Sequence, residues 1–368
     1  MRRLVRRLAI VLAILGGAHA YIWWRLVAAP SWPAAVTVVV TIAIIVLAPS
    51  LPATILIARR FTRARAKPVL WVAYTWFGCA VNLLLAAAMT HVACALAPVT
   101  PRSAAVAGLI AAVIAIVYGL LHARKPPIVR RVRVPLSKLP RSADGYTIVQ
   151  LTDLHIGWTL GAKFVDQVVA IVNRLDPDLV VLTGDLIDGQ VRELAEHVAP
   201  LASLRARDGV YAVTGNHEYY WNVHAWLTHF TSLGIRVLRN ERVTIRGALE
   251  LSGTDDITGA AMAQGHGEDI PRAVAARDPA LPLVLLAHHP RSVSGAATAG
   301  VDLQLSGHTH GGQLLPFGWL VRLFEPRAAG LARFGTTWLY VSEGTGFWGP
   351  PMRIGTTCEI AAITLVSA

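Results

Sequence analysis

The sequence predicts a bundle of four transmembrane α-helices followed by an α/β domain of layered sheet and helix. Three observations predict it. Long apolar stretches crowd the first third of the chain, basic residues gather there without an acid, and beyond about Pro126 short β-rich runs alternate with helical patterns.

The 368 residues suffice for more than one domain. Hydrophobic residues make up 54% of them, and the mean hydropathy is +0.50, high for a chain that lives wholly in water. Residues 1–121 hold 11 Lys and Arg and no Asp or Glu; the remainder holds 23 basic and all 22 acidic residues, a balance of +1. The net charge of +12 therefore belongs to the first third. A nucleic-acid surface needs a basic stripe on a soluble face, and the second part has none. Cys79, Cys94 and Cys358 are too few for a disulfide framework or a thiolate-rich zinc site.

Four apolar stretches, 8–27, 34–58, 69–97 and 104–121, are each about the length that crosses a hydrocarbon core. Pro49 and Pro52 predict a kink in the second. Trp23, Trp24, Trp32, Trp71 and Trp76 fall near span ends, as interfacial aromatics do. Asn82 and His91 are expected to hydrogen-bond between helices. Basic residues cluster at Arg2, Arg3, Arg6 and Arg7, at Arg59, Arg60, Arg63, Arg65 and Lys67, and at Arg124, Lys125, Arg130, Arg131 and Arg133. The opposite turns carry only Arg25 and Arg102, so both termini are expected in the cytoplasm of a multi-pass protein of the cell (inner) membrane. The start resembles a signal peptide ending at Ala18–Ala20, but the apolar run continues through Tyr21–Trp24, which favours an uncleaved anchor.

Residues 122–145 read as a basic, Pro-rich connector that could hold a first strand. From 146 to 368, "YTIVQLTD", "DLVVLTGD", "GVYAVTGN", "LPLVLLAHH" and "VDLQLSGH" read as buried strands, with helices expected over 163–175 and 190–204. "VTIRGALELSG" and "CEIAAITLVS" add further strands.

Each of the five buried strands ends in metal-type donors: Asp153 and His155; Asp185; Asn216, His217 and Glu218; His288 and His289; His308 and His310. Strand C-terminal ends are where open α/β sheets place their chemistry. Singly, an Asp here is a helix cap, a Gly-Asn a turn, and a His a satisfied polar group. Five such endings in order, with oxygen and imidazole donors and no thiolate, fit a pair of divalent metals.

D-x-H, G-D, G-N-H-E, a lone His and G-H-x-H together resemble the signature of calcineurin-like metallophosphoesterases. "DLHIG", "GDLIDG", "GNHEYY", "GHTHGGQ" and the late "YVSEGTG…GPPMRIG" are most similar to the bacterial YkuE/YaeI-type branch. The resemblance covers roughly Tyr146 to the C-terminus and implies a layered β-sandwich flanked by helices. It also implies two divalent cations (manganese ahead of iron or zinc), with Asp153, His155 and His310 on the first, Asn216, His288 and His308 on the second, and Asp185 bridging. His288 is preferred to His289 only on the family's usual first-His position. The implied reaction is hydrolysis of a phosphoester, a diester ahead of a monoester, by hydroxide bridging cations about 3.5–4 Å apart, with His217 as the general acid. Glu218, Asp188, Asp255 and Asp256 are expected to support the ligands or to lie at the surface. Tyr219, Tyr220, Trp221, Trp226 and the apolar stretch 317–324 lie close in sequence to these motifs, which suits a lipid-linked phosphoester. The rival reading is a membrane sensor or partner-binding protein whose metal domain is regulatory, though spans without acidic residues argue against a transport role. Oligomeric state is not legible.

Overall fold

A computed structural model describes residues 2–61 and 63–368. Its contacts divide the chain into two units, 1–124 with 349–354, and 125–348 with 355–368.

The first unit contains four segments long and apolar enough to cross a membrane: Ala9–Ala28, Ala34–Thr54, Arg65–Leu96 and Pro101–Ala123. The expected kink is a full break: helix Ala34–Leu47 stops and Ser50–Arg60 begins anew, with Pro49 between them lacking the N–H that would continue the ladder. Thr100 caps the last span through Ser103 N at 3.1 Å, and Pro101 occupies the first turn, where no donor is needed. His91 meets the expectation of a helix-to-helix bond, its Nδ1 lying 2.9 Å from Tyr21 Oη. Asn82 does not: its amide donates to Gly78 O of its own helix at 2.8 Å, because the i−4 carbonyl is nearer than any neighbouring helix's acceptor. The side chains of Arg2, Arg3, Arg7, Arg59 and Arg63, which enter the charge argument, lie outside the described residues. Residues 349–354 complete this unit. Met352 and Arg353 are fully buried there, and Arg353 N donates to Gly119 O at 3.1 Å.

The second unit is a sandwich of two six-stranded sheets. Its strands are β1 (Ile128–Leu136), β2 (Thr147–Leu151), β3 (Leu179–Thr183), β4 (Val210–Val213), β5 (Arg236–Val237) and β6 (Glu241–Ile245). Then come β7 (Leu249–Gly253), β8 (Leu283–Leu286), β9 (Leu303–Ser306), β10 (Gly330–Phe334), β11 (Thr337–Val341) and β12 (Glu359–Ser367). The orders are β1-β12-β2-β3-β4-β5 and β10-β11-β9-β8-β7-β6. β2 to β5 run parallel, as do β7, β8, β9 and β11, so their C-terminal ends gather at one edge of each sheet. All five expected buried strands form. The connector does hold a first strand: β1 pairs in parallel with β12 over nine residues, leaving only 124–127 between the last span and that strand. Alternation within β1 ("VRRVRVPL") supports this, since Val134 and Leu136 are buried between exposed neighbours.

Apolar side chains from both sheets fill the space between them, with Val134, Ile148, Val181 and Val213 meeting Leu251, Val284, Leu305 and Tyr340. Helices Ala162–Arg174, Val191–Val198 and Val223–Ser232 cover the outer face of the first sheet. The helix expected over 190–204 becomes a tighter 3-10 turn at Ala199–Ser203, where Pro200 cannot donate into an α-helical ladder. The β10–β11 hairpin carries no strong alternation and was not legible.

Candidate metal centre

Every expected ligand lies at the C-terminal end of a strand or in the turn just after it. Asp153 and His155 follow β2, Asp185 follows β3, and Asn216 opens the short helix after β4. His288 follows β8, while His308 and His310 follow β9. Both sheets thus contribute to one site.

Four overlapping donor groups result, of which two match the expected ligand sets; the others are His155, Asp185 and His217, and His289, His308 and Glu325. Asp153, His155 and His310 form the first, with His155 Nε2 3.1 Å from His310 Nε2 and His310 Nε2 3.4 Å from Asp153 Oδ1. Asp185, His288 and His308 form the second, with His288 Nε2 3.2 Å from Asp185 Oδ2. Asp185 Oδ2 also lies 4.0 Å from His155 Nε2, which makes Asp185 the one carboxylate facing both groups. Asn216 Oδ1 is buried without a hydrogen-bond partner, a free oxygen donor beside the second group. His288 and His289 part company. His288 fixes its Nδ1 on Thr183 O at 2.7 Å and presents Nε2 to Asp185. His289 Nε2 instead faces Asp256 at 3.5 Å, and its ring packs on His308 with centroids 3.6 Å apart.

The site suits divalent cations. Burial disfavours charge on Asp185, yet His288 and His217 outweigh it and hold the carboxyl well below its usual range. Burial likewise opposes charge on His288, but Asp185 dominates and pushes its pKa up. The carboxylates therefore call for positive charge in the pocket. His308 is driven down to about 3 by burial and by His288, leaving it a neutral donor. Two buried carboxylates, several imidazoles and an unpartnered amide oxygen form a hard N/O set.

Loops interlock to hold these donors. His308 N donates to both oxygens of Asp153, at 3.1 and 3.0 Å, and Thr152 Oγ1 donates to Asp153 Oδ2 at 2.8 Å. His217 N donates to Asp185 Oδ1 at 2.8 Å. Asp153, His155, Asp185, His308 and His310 all have left-handed backbones, with φ between 46° and 69°. Such strain costs about 1–3 kcal/mol per residue and persists only where surroundings over-determine it. Gly307 allows a very close approach, since any Cβ there would overlap Asp153 Oδ2 and Thr152 Oγ1. Gly307→Ala is expected to displace the Asp153 carboxylate and lower bound metal below that of the native chain, read by elemental analysis after gel filtration.

Two of the carboxylates expected to support the ligands do so in the structure. Asp188 Oδ2 lies 3.2 Å from His155 Nδ1, and Asp188 Oδ1 pairs closely with His217 Nδ1. It thus orients one ligand and the candidate acid together. Burial would push the His217 pKa down, but Asp185 and Asp188 raise it to about 10. His217 Nε2 then faces Asp185 Oδ2 at 3.8 Å. Glu218 accepts from Asp185 N at 3.0 Å, Leu186 N at 2.8 Å and Gly215 N at 2.7 Å, tying two ligand loops together. Its signal was the Glu three residues after Gly215, a capping-box spacing. Glu218→Ala orphans three N–H groups and should destabilise the protein by about 3 kcal/mol or more, lowering its thermal midpoint in detergent. An unchanged midpoint would refute the tie.

Fold and donor set together define a metallophosphoesterase-type domain. The chain belongs to the calcineurin-like metallophosphoesterase family: the profile described as "Calcineurin-like phosphoesterase" matches residues 146–312. It is 42% identical over 266 residues to the "Transmembrane protein with metallophosphoesterase domain" of Bos taurus, covering 68% of this chain and 60% of that one. It is 34% identical over 239 residues to a metallophosphoesterase of Aquifex aeolicus, covering 64% and 91%. To the metallophosphoesterase YkuE of Bacillus subtilis it is 30% identical over 263 residues, covering 68% and 90%. The chain thus spans about three fifths of the length of the Bos taurus relative.

Proposed function

We propose that the protein is a membrane-anchored phosphoesterase that hydrolyses a phosphodiester, one carrying a lipid, with two manganese ions in the cytoplasm-facing domain. The observation that carries the reading is the pair of donor groups, each faced by Asp185. Asp153, His155 and His310 would hold one cation and Asn216, His288 and His308 the other, with Asp185 between them. Bound there, the cations would supply Lewis-acid activation of water and neutralise charge on the phosphoryl group. The chain's own residues do the rest. Asp188 holds the His217 ring so that Nε2 faces the pocket, and His217 donates the proton that the departing oxygen needs. His308 N and His217 N keep both carboxylates from swinging toward an incoming anion. Tyr220, half-exposed, lies tilted against His217 with centroids 5.1 Å apart, and Trp348 lies 6.1 Å away, so an apolar rim adjoins the proton donor.

The cytoplasmic assignment rests on the basic turns, and the lipid-linked substrate on this rim and the spans. The test uses full-length protein in lipid nanodiscs, stripped by chelator and reloaded with manganese, iron or zinc. Turnover of bis-p-nitrophenyl phosphate is expected to vanish on stripping, return best with manganese, and exceed that of the monoester. Full metal loading with no turnover of either ester, or of a lipid phosphodiester in the disc, would instead support a regulatory binding role.

A further inference from the structure

We propose that the helix Phe317–Phe324 lies in the headgroup–acyl boundary of the same bilayer that the N-terminal helices cross, as a second membrane contact beside the metal centre. This rests on the membrane reading of those helices and not on catalysis. The helix reads "FGWLVRLF" and has no buried residue. Trp319 is 66% exposed, Leu323 75% and Phe324 70%. In the second unit the exposed large hydrophobics are Ile128, Tyr220, Met262, Trp348 and the six at 315, 317, 319, 320, 323 and 324. More than half of that apolar exposure thus falls within ten consecutive residues, a contiguous patch of the kind that marks an interaction surface.

Helical geometry sorts the side chains. Trp319, Leu320, Leu323 and Phe324 share one face, while Gly318, Val321 and Arg322 share the other. The second face turns to the metal loop: the helix packs against His310–Gly312, and a Cβ on Gly318 would lie 2.8 Å from Gly311 O. Between them is a polar cavity of about 360 Å³, lined by Gly311, Arg322, Glu325, Arg327, Glu343 and Thr356. A tryptophan, a phenylalanine and two leucines on one exposed face suit the bilayer boundary, where the indole meets headgroups and the aliphatics meet acyl chains.

The tether singles out a membrane as the occupant. The last span ends at Ala123 and β1 begins at Ile128. Four residues, Arg124, Lys125, Pro126 and Pro127, reach at most about 14 Å when fully extended. The start of β1 therefore stays close to the lipid surface, and Arg131 and Arg133 on that strand add attraction to anionic lipid.

The test replaces Cys79, Cys94 and Cys358 in the full chain and places a nitroxide at Leu323→Cys, with Thr228→Cys on an exposed helix as reference. Nanodiscs contain phosphatidylcholine and phosphatidylglycerol. Power saturation is read with oxygen, which concentrates in lipid, and with a water-soluble nickel chelate. The expected result is a Leu323 label that oxygen reaches more readily than nickel, and a Thr228 label with the reverse order. Equal nickel access at both positions would overturn the proposal. Protection of Leu323 from both reagents would also overturn it and assign the face to protein, such as a second copy. Phe324→Cys repeats the reading should Leu323→Cys fold poorly. Turnover of bis-p-nitrophenyl phosphate in the same discs separates the two ideas, since an active enzyme with a water-exposed label loses only the helix assignment.

Discussion

Asp185→Asn is expected to lower phosphodiester turnover by more than about a hundredfold, because even loss of an outer partner of a metal ligand costs about 10–100-fold. The side chain faces both donor groups, so its change should weaken both cations together. Native protein should carry two per chain, whereas the variant should lose the second ion first on dilution or chelation. An amide keeps the shape and one oxygen, and Asp185 Oδ1 is already committed to His217 N; the deficit is therefore one of charge and bridging rather than of packing. Retention of two tightly held ions with near-native turnover would remove Asp185 from the bridging position.

His217→Ala should reduce turnover by about 10²–10⁴-fold with both cations still bound; the ring also lies within donor distance of His155 and Asp185, so loss of a cation from the variant would make His217 a ligand instead. Leaving-group chemistry sharpens the expectation. A p-nitrophenolate departs without a proton, whereas an alkoxide needs one, so the loss should be larger for an alkyl ester. Equal losses for the two esters would count against an acid role. The pH dependence has a definite sign. Asp185 and Asp188 raise the His217 pKa against burial, so the protonated ring, and the activity that needs it, is present below that pKa and lost as pH rises through it. Asp188→Asn removes one raising charge, and the alkaline limb of the pH–rate profile should move to lower pH.

Much of this site was legible because each ligand pair obeys a local rule. The chain leaves a buried strand, a glycine or a left-handed residue turns it, and the donors follow within two or three positions, as at Gly184-Asp185 and Gly307-His308. Short apolar runs likewise marked β2, β3, β4, β8 and β9. What the sequence could not carry is long-range. β1 was legible only as a strand that the basic connector could hold, because its partner, β12, lies more than 200 residues away. The choice of His288 over His289 depends on which ring finds Thr183 O, a contact across the sandwich. The dual role of Asp188 required His155 and His217 to converge from different strands. Asn82 went the other way, since a local carbonyl captured an amide that hydropathy alone assigned to a neighbour.

The six residues 349–354 carry a consequence for how the chain is made. A ribosome delivers all four apolar helices before it reaches them, with more than 220 residues of sandwich in between. The helical unit therefore cannot reach its final packing while the chain is emerging. Until Arg353 arrives, the Gly119 carbonyl lacks that donor, and the helices must persist in an unfinished state while strands β1 to β11 are made. A chain cut short anywhere before 349 would therefore leave the helical unit unfinished as well as the sandwich.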